Sequence, residues 1–250
     1  MRGTSIESAI YHPKKWNDNW QVSLRNYIDN KRTYFIFKRC VDLVVSTAVM
    51  AVIFPVFFPF IMLLISMDSR GPVFFKQKRV GFLGRTFWCY KFRTMYVNDE
   101  ADTHQAIRND PRVTPIGRLL RQTGLDELPQ FVNVFLGHMS IVGPRPHMLK
   151  DSRDFSSVIA NYKFRNLVRP GITGMSQIRG CRGPASTFQS IFRRYQWDAY
   201  YVRSVGFAVD MRIMAETVWL MIRSLFLGDR ADEIGSSQVS ADRIGNKKIA

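Results

Sequence analysis

The chain has 250 residues, of which 46% are apolar, and 36 Lys and Arg against 20 Asp and Glu give it a formal net charge of +16 at pH 7. This length fits one domain or two small ones, and the apolar fraction excludes a disordered chain. The charge indicates a polyanionic partner, which is nucleic acid, an anionic membrane face or a phosphorylated substrate. Three cysteines without a CxxC pair and four histidines without metal-ligand spacing argue against a disulfide framework and a structural zinc site.

The first part of the chain, residues 1–36, alternates aromatic residues with Lys and Arg. This alternation is typical of a helix that lies at a membrane interface. A loosely ordered tail is the alternative interpretation. We therefore predict an interfacial segment over residues 1–36.

A long apolar run follows, and it carries no charge from Leu43 to Ile65. About 20 such residues are enough to cross a bilayer as a helix. Basic residues flank the run on both sides, and positive flanks prefer the cytosolic face. Pro55 and Pro59 each remove a backbone donor inside the run, which favours a bend. We predict a re-entrant helix-break-helix hairpin over residues 37–67; a true span and a buried soluble hairpin are the alternatives.

The remaining chain predicts an α/β domain that is mostly helical with a small β-hairpin, covering residues 68–227 and facing the cytosol. The segments VFFKQ and RTFWCYKF have the composition of strands, and the turn VGFLG joins them. The last residues, 228–250, are polar and predict a disordered tail.

Helix signals mark the middle of this domain. Thr114 precedes Pro115 as a cap precedes a first helical residue. Leu128, Val132 and Phe135 are three or four residues apart, so we expect them to face a core. The other predicted elements are a basic loop over 169–183 and helices over 188–201 and 210–227.

An adjacent pair of acids, Asp126 and Glu127, lies in this basic chain. Neighbouring side chains on a helix diverge by roughly 100°, so the two suit different tasks. One carboxylate can attack phosphorus, and the other can help to hold a divalent cation. A solvated pair at a helix end is the alternative.

Arginines border these motifs, and an arginine fork matches phosphate oxygens. In Pro144-Arg145-Pro146, two rigid residues fix the backbone around one guanidinium. A surface salt bridge is the alternative for any one of these arginines. His138 and His147 flank the block, and each either binds substrate or satisfies a local hydrogen bond.

Seven motifs in order carry a resemblance to a known family. They are KRCVDLVVS (38–46), the apolar run with Pro55, DSRGPVFFKQKRVG (68–81), YKFRTM (90–95), LDELPQFVNVF (125–135), MSIVGPRP (139–146) and VRPGITG (168–174). Together they resemble the bacterial sugar transferases, the monotopic phosphoglycosyl transferases, over roughly residues 36 to 226. The later part is similar to polyprenyl-phosphate hexose-1-phosphate transferases of exopolysaccharide and capsule synthesis. The resemblance does not include the four-helix membrane domain that many of those carry in front.

The resemblance implies roles by position. Asp126 matches the nucleophile that attacks the β-phosphate of a UDP-sugar and releases UMP, and Glu127 matches the acid linked to Mg²⁺, with Mn²⁺ as the other ion. Polyprenyl phosphate then resolves the phosphosugar-enzyme. Lys91, Arg93, Arg121 and Arg145 match phosphate-binding motifs. Further candidates in the substrate region are His138, His147, Pro144, Pro146 and Arg169.

The implied protein acts at the bacterial inner membrane among its lipids, with the catalytic domain facing the cytosol, and it binds no nucleic acid. A homodimer is left open. PRPH resembles the glucose-1-phosphate transferases, which favours UDP-glucose over UDP-galactose or a UDP-N-acetylhexosamine. Departures from the family pattern are Phe54, where Ser is frequent before the proline, and Met175, Val205 and Gly206. A basic membrane-binding scaffold without catalysis is the rival interpretation, and a nucleic-acid binder is a weaker one.

Overall fold

The structure is a computed structural model, and it describes residues 30–100, 104, 106–107, 110–181 and 187–227. The predicted interfacial segment lies outside these residues up to position 29, and so does the predicted tail from position 228. The helices are α1 (Arg32–Asp68), α2 (Pro115–Thr123), α3 (Gln130–Phe135), α4 (Leu149–Val158), α5 (Met175–Ile178), α6 (Phe188–Ser204) and α7 (Phe207–Leu227). The strands are β1 (Phe74–Val80), β2 (Thr86–Phe92), β3 (Ser140–Val142) and β4 (Gly171–Thr173).

Helix α1 contains the whole apolar run and is the one helix of the described residues that is long and apolar enough to cross a membrane. Its 37 residues form one continuous helix with Pro55 and Pro59 inside it. The predicted helix-break-helix hairpin is therefore not confirmed, and the re-entrant path stays a prediction. The helix also begins at Arg32, five residues before the predicted start of the hairpin at position 37.

The first part of α1 is fixed to the domain by polar contacts. Asp42 is 3% exposed and accepts hydrogen bonds from the Ser140 hydroxyl at 3.0 Å and the Ile141 amide at 2.9 Å. Arg39 donates to the carbonyl of Val134 at 2.6 Å. An aspartate that accepts a strand amide in a buried place ties this helix to β3.

The last part of α1 is fixed to the same domain by apolar packing. Ile61 and Ile65 are each 2% exposed and cluster with Phe92 of β2 and Leu120 of α2. Many other apolar side chains of α1 are exposed. These include Val44, Val52, Val56, Phe60 and Leu63.

The predicted β-hairpin is confirmed. Strands β1 and β2 pair antiparallel from Phe74 opposite Phe92 to Val80 opposite Thr86. A short 3-10 turn, Phe82–Gly84, connects them. Lys91, a predicted site residue, is the next-to-last residue of β2. The end of this strand therefore lies at the predicted site.

The predicted start of α2 is also confirmed. The Thr114 hydroxyl accepts the Gly117 amide at 2.9 Å, and Pro115 is the first helical residue. The expected core face of the next segment is only partly correct, because Phe135 is 44% exposed whereas Val134 is fully buried. A 3-10 turn precedes α3, so Leu128 does not belong to the same continuous helix as Val132 and Phe135. The expected spacing of the three residues on one helix face therefore does not hold.

A second small sheet was not predicted. Strands β3 and β4 pair in parallel, with Ser140 opposite Gly171 and Val142 opposite Thr173. A Cβ on Gly171 would lie 2.1 Å from the Gly143 nitrogen, so only glycine allows these backbones to approach. The segment predicted as a basic loop therefore contains β4 and α5, and Met175 packs in the core.

The main core lies between the two sheets and the last two helices, which occupy the predicted positions. It buries apolar residues of α3, the second sheet, α6 and α7, namely Val134, Met139, Val142, Tyr201, Val202 and Ile213. This core holds the hairpin, the second sheet and α1 in fixed relative positions. Of these elements, the hairpin carries Lys91, and the Pro-Arg-Pro segment follows closely after β3.

We expect Asp42→Ala to lower the free energy of unfolding by about 1–3 kcal/mol, because it leaves the buried Ile141 amide and Ser140 hydroxyl without an acceptor. Thermal unfolding in detergent micelles measures the effect. Thr47→Ala on the exposed side of the same helix is the control and should change little. Equal stability of the two variants would contradict the proposed role of Asp42.

Candidate active site

The two adjacent acids lie in a 3-10 turn, Leu125–Glu127, between α2 and α3. Gly124 ends α2 with a φ of +74°, a conformation that glycine adopts without strain. The chain therefore reverses direction directly before the acids. Asp126 is 8% exposed, which contradicts the alternative of a solvated pair at a helix end.

Glu127 is held by two cations from distant parts of the chain. The Lys91 ammonium lies 2.5 Å from Oε1 of Glu127, and the Arg145 guanidinium lies 2.7 Å from the same oxygen. A second Arg145 nitrogen is 3.3 Å from Oε2. Lys91 is also 3.9 Å from Oδ2 of Asp126, so one ammonium is shared between the two acids.

The two carboxyls have opposite pKa shifts. Burial raises the pKa of Asp126 above its ordinary value, and the nearby Lys91 only partly offsets this. Burial also acts on Glu127, but Arg145 and Lys91 outweigh it and hold the pKa of Glu127 well below its ordinary value. Two neighbouring acids in one turn are thus prepared for different tasks.

The backbone around Arg145 is held at three successive carbonyls. The carbonyl of Pro144 accepts from the Gly171 amide at 3.0 Å, and that of Arg145 accepts from Arg165 at 2.6 Å. The carbonyl of Pro146 accepts from Arg79 at 2.9 Å. The predicted rigidity of this Pro-Arg-Pro segment is therefore supported by tertiary contacts as well as by its prolines.

Arg121 is oriented by a residue to which we assigned no role from sequence. Its Nε donates to the hydroxyl of Thr94 at 2.8 Å, and Thr94 is 6% exposed. The carbonyl of Thr94 accepts the amide of Thr114, which fixes the strand end against α2. Thr94 is part of the motif YKFRTM, so its position was marked but its function was not.

Arg93 makes a different set of contacts. It is 6% exposed and donates to the carbonyl of Ser69 at 2.5 Å and to the Ser69 hydroxyl at 3.0 Å. These bonds attach the end of α1 to the hairpin. Its role in phosphate binding stays a prediction.

The predicted substrate-region residues His138, His147 and Arg169 do not all lie near the two acids. His138 is exposed beside Phe87, and Arg169 donates to the carbonyl of Gly137 at 3.0 Å. Neither of them lines the cleft that contains the acids, as far as the structure describes the chain. His147 does line this cleft; it is 4% exposed, and its Nδ1 is 2.5 Å from the Tyr162 hydroxyl.

The acids lie in an open cleft of about 1320 Å³. Its polar part is lined by side chains of the hairpin, α2, the 3-10 turn and the Pro-Arg-Pro segment. These include Lys91, Arg121, Asp126, Glu127, Arg145 and His147. Its apolar part is lined from α1 and α7 by Val49, Ile53, Phe57, Met214, Val218 and Met221.

The site offers a divalent cation two carboxylates. No group of three or more His, Cys, Asp or Glu suited to a metal occurs among the described residues. Mg²⁺ is commonly held by one or two carboxylates together with substrate phosphates and water. Asp126 and Glu127 therefore fit an ion that binds together with a phosphorylated substrate.

Comparison with known proteins gives a consistent result. A family model described as bacterial sugar transferase matches residues 33–224. UDP-glucose:undecaprenyl-phosphate glucose-1-phosphate transferase of Escherichia coli (strain K12) is 44% identical over 186 residues, which cover 74% of this chain and 40% of that relative. This chain thus spans less than half the length of that relative.

Two further relatives differ in length and in the sugar they name. Exopolysaccharide production protein PSS of Rhizobium leguminosarum bv. phaseoli is 43% identical over 188 residues, which cover 73% of this chain and 94% of the relative. UDP-N-acetylgalactosamine-undecaprenyl-phosphate N-acetylgalactosaminephosphotransferase of Aeromonas hydrophila is 38% identical over 189 residues, covering 74% and 43%.

We expect opposite stability changes from the two acids at pH 7. Asp126→Asn should stabilise the protein, because a carboxyl with a raised pKa destabilises the fold when it is charged. Glu127→Gln should destabilise it by about 2–3 kcal/mol, because Lys91 and Arg145 lose their counter-charge. Unfolding at pH 7 and at pH 4 measures both effects.

The pH dependence gives the control for this prediction. The gain from Asp126→Asn should shrink as pH falls through the raised pKa of Asp126, since the wild-type carboxyl then becomes neutral. The loss from Glu127→Gln should persist at pH 4, because the pKa of Glu127 is lowered below that pH. Changes of the same sign at pH 7 would contradict the assignment.

Proposed function

The chain belongs to the bacterial sugar transferase family, and from this premise we propose that it transfers a sugar-1-phosphate from a UDP-sugar to polyprenyl phosphate. The observation that carries the proposal is the pair of buried Asp126 and half-buried Glu127 in a cleft with Lys91, Arg121 and Arg145. This set combines a nucleophile with the cations that a phosphoryl group needs. The proposed reaction would initiate an exopolysaccharide or related surface glycan.

The proposed chemistry has two displacement steps. A carboxylate oxygen of Asp126 attacks the β-phosphorus of the UDP-sugar, and UMP leaves with the electrons of the bond to the bridging oxygen. A phosphate oxygen of polyprenyl phosphate then attacks the same phosphorus and displaces the carboxylate. The product is polyprenyl-diphospho-sugar, and Asp126 is restored.

The cations around the acids have defined tasks in this scheme. Lys91 and Arg145 bind phosphate oxygens when the substrate arrives, and Arg121 approaches from α2 in the orientation set by Thr94. Glu127 would hold the divalent cation together with the substrate phosphates. Bound Mg²⁺, or Mn²⁺ in its place, neutralises the negative charge of the diphosphate.

The cleft also supports a lipid acceptor. Its apolar walls from α1 and α7 join the polar part that contains Asp126. A lipid phosphate needs both kinds of surface, because its chain must stay out of water while its head group reaches the nucleophile. We propose that the protein works at the inner membrane with this cleft on the cytosolic side; the homodimer stays a prediction.

The contacts of α1 support a re-entrant path. Asp42 near its start and Ile65 near its end both contact the same domain, and a straight helix would separate them by about 35 Å. This exceeds the hydrocarbon thickness of about 30 Å. A domain on one side of a bilayer cannot contact both ends of a helix that crosses it. We therefore propose that both ends of α1 lie on the cytosolic side.

The donor is proposed as UDP-glucose. The name of the E. coli relative states this sugar. In this chain the Pro-Arg-Pro segment is followed by His147, a pattern that resembles the glucose-1-phosphate transferases. The Aeromonas relative names N-acetylgalactosamine, so a UDP-N-acetylhexosamine is the alternative. UDP-galactose is a further donor to test.

Intact mass of the purified protein tests the reaction directly. The protein is incubated with Mg²⁺ and UDP-glucose, UDP-galactose or UDP-N-acetylglucosamine without lipid acceptor. We expect a phosphosugar adduct and release of UMP with one donor, and no adduct with Asp126→Asn because its amide cannot attack phosphorus.

Asp154→Asn is the matched control, because this aspartate is exposed on α4. It should form the adduct at the wild-type rate. An adduct that persists in Asp126→Asn would contradict the proposed nucleophile. Absence of any adduct, together with salt-sensitive vesicle binding, would favour the basic membrane-binding scaffold instead.

Cysteine labelling tests the re-entrant path. In a background with Cys40→Ser and Cys181→Ser, we expect Thr33→Cys and Arg70→Cys both to react from the cytosolic side of membrane vesicles. Val56→Cys should resist a water-soluble reagent, because it lies in the exposed apolar middle of α1. Labelling of the two flanks from opposite sides would reject the path.

A further inference from the structure

The polar part of the cleft also includes a region near Arg145 that is lined by Arg79, His147 and Arg194. Arg194 is on α6 and is 8% exposed. Arg79 is on β1 and donates to the carbonyl of Pro146. These two arginines had no assigned role, although both border the segment that presents Arg145.

The region is crowded with positive charge. Burial lowers the pKa of His147 well below its ordinary value, and the next causes are Arg165, Arg194, Arg79 and Arg145. His147 is therefore neutral between four arginines. The arrangement gathers guanidinium groups around one end of the cleft.

Two acids near this region already form ion pairs with arginines. Arg145 is paired with Glu127 at 2.7 Å, and Arg165 is paired with Asp198 at 2.7 Å. Asp151 is the remaining acid that lines this end of the cleft, as far as the chain is described. Arg79, Arg145 and Arg194 line this part of the cleft together with Asp151, so guanidinium groups outnumber carboxylates among these lining residues.

Unsatisfied polar atoms point in the same direction. Within the described residues, Nε of Arg79 and Nε2 of His147 are buried and have no hydrogen-bond partner. Buried polar groups almost always have a partner, so such atoms indicate a bound group or water. A ligand with several acceptor oxygens would satisfy the arginine donor and complement the charge.

We propose that Arg79 and Arg194 form a second phosphate subsite beside the Asp126–Glu127 pair, with Arg145 between the two. The proposal rests on the proposed function. Guanidinium forks suit phosphate oxygens, and the reaction brings a second phosphate next to the transferred one in each step. In the first step this is the phosphate of departing UMP, and in the second it is that of polyprenyl phosphate.

One subsite can serve both phosphates in turn. UMP leaves from the side of the phosphorus opposite Asp126, and the acceptor enters from that same side to displace Asp126. The two phosphates therefore occupy equivalent positions at different times. Their shared chemistry is a phosphate monoester that bears negative charge in the bond-breaking or bond-forming step.

The test compares Arg194→Gln, Arg194→Lys and the matched control Arg193→Gln. Arg193 is the exposed neighbour of Arg194 on α6 and does not line the cleft. Three quantities are measured: the Kd of UMP by calorimetry, the rate of adduct formation with UDP-glucose, and the rate at which polyprenyl phosphate in nanodiscs resolves the adduct. Thermal unfolding verifies that each variant is folded.

We expect Arg194→Gln to weaken UMP binding and slow both half-reactions by roughly 10-fold or more, because it removes a charge-assisted bidentate contact. Arg194→Lys keeps the charge without the fork and should fall between Gln and wild type. Arg193→Gln should leave all three quantities unchanged. If Arg194→Gln does not fold, the test rests on Arg194→Lys. A weaker UMP binding or a slower resolution by the acceptor can then still be measured in that variant.

The outcomes separate the sources of the phosphate. If only UMP binding and adduct formation are lost, the subsite binds the nucleotide phosphate. If only the resolution of the adduct by polyprenyl phosphate is lost, it binds the lipid phosphate. Either outcome supports the subsite. Changes no larger than those of Arg193→Gln in all three quantities would overturn it. A wild-type protein without any adduct would refute the proposed function, while the UMP titration would still report on the subsite.

Discussion

A buried carboxyl beside a half-buried one is costly to keep charged unless cations lie close by, and this constraint organises the site. Glu127 receives Lys91 from the hairpin and Arg145 from the Pro-Arg-Pro segment. Burial raises the pKa of Asp126, and the same ammonium, 3.9 Å away, only partly offsets it; at Glu127 the closer Arg145 and Lys91 outweigh burial and lower the pKa. The two acids of one turn have opposite pKa shifts because Lys91 and Arg145 both pair with Glu127.

The position of Arg145 in turn depends on parts of the chain that are far away in sequence. Its carbonyl is held by Arg165, which is fixed by Asp198 of α6. The preceding carbonyl is held by Gly171 at the start of β4. The proposed phosphate binding by Arg145 would gain from such support, because a pre-ordered group loses less entropy on binding.

Helix α1 is connected at both of its ends to strands that lead to residues of the site. Asp42 of α1 accepts the amide of Ile141, and Arg145 follows only four residues later. The other end of α1 is held by Arg93 through the carbonyl of Ser69 and by packing against β2, which also carries Lys91. The proposed membrane helix is therefore connected to both cations that hold Glu127.

The sequence by itself determined the hairpin, the cap of α2 and the last two helices, because local propensities encode them, and its short motifs marked Asp126, Glu127 and Arg145, which the structure brings together. It did not reveal the pairing of β3 with β4, since three-residue strands have no readable periodicity. Nor did it assign Thr94, Arg79 or Arg194, or distinguish Arg93 from its neighbours. Only the tertiary structure decided which arginine faces the acids and which fixes a helix end, because every arginine carries the same charge and its role depends on the partners that folding brings near.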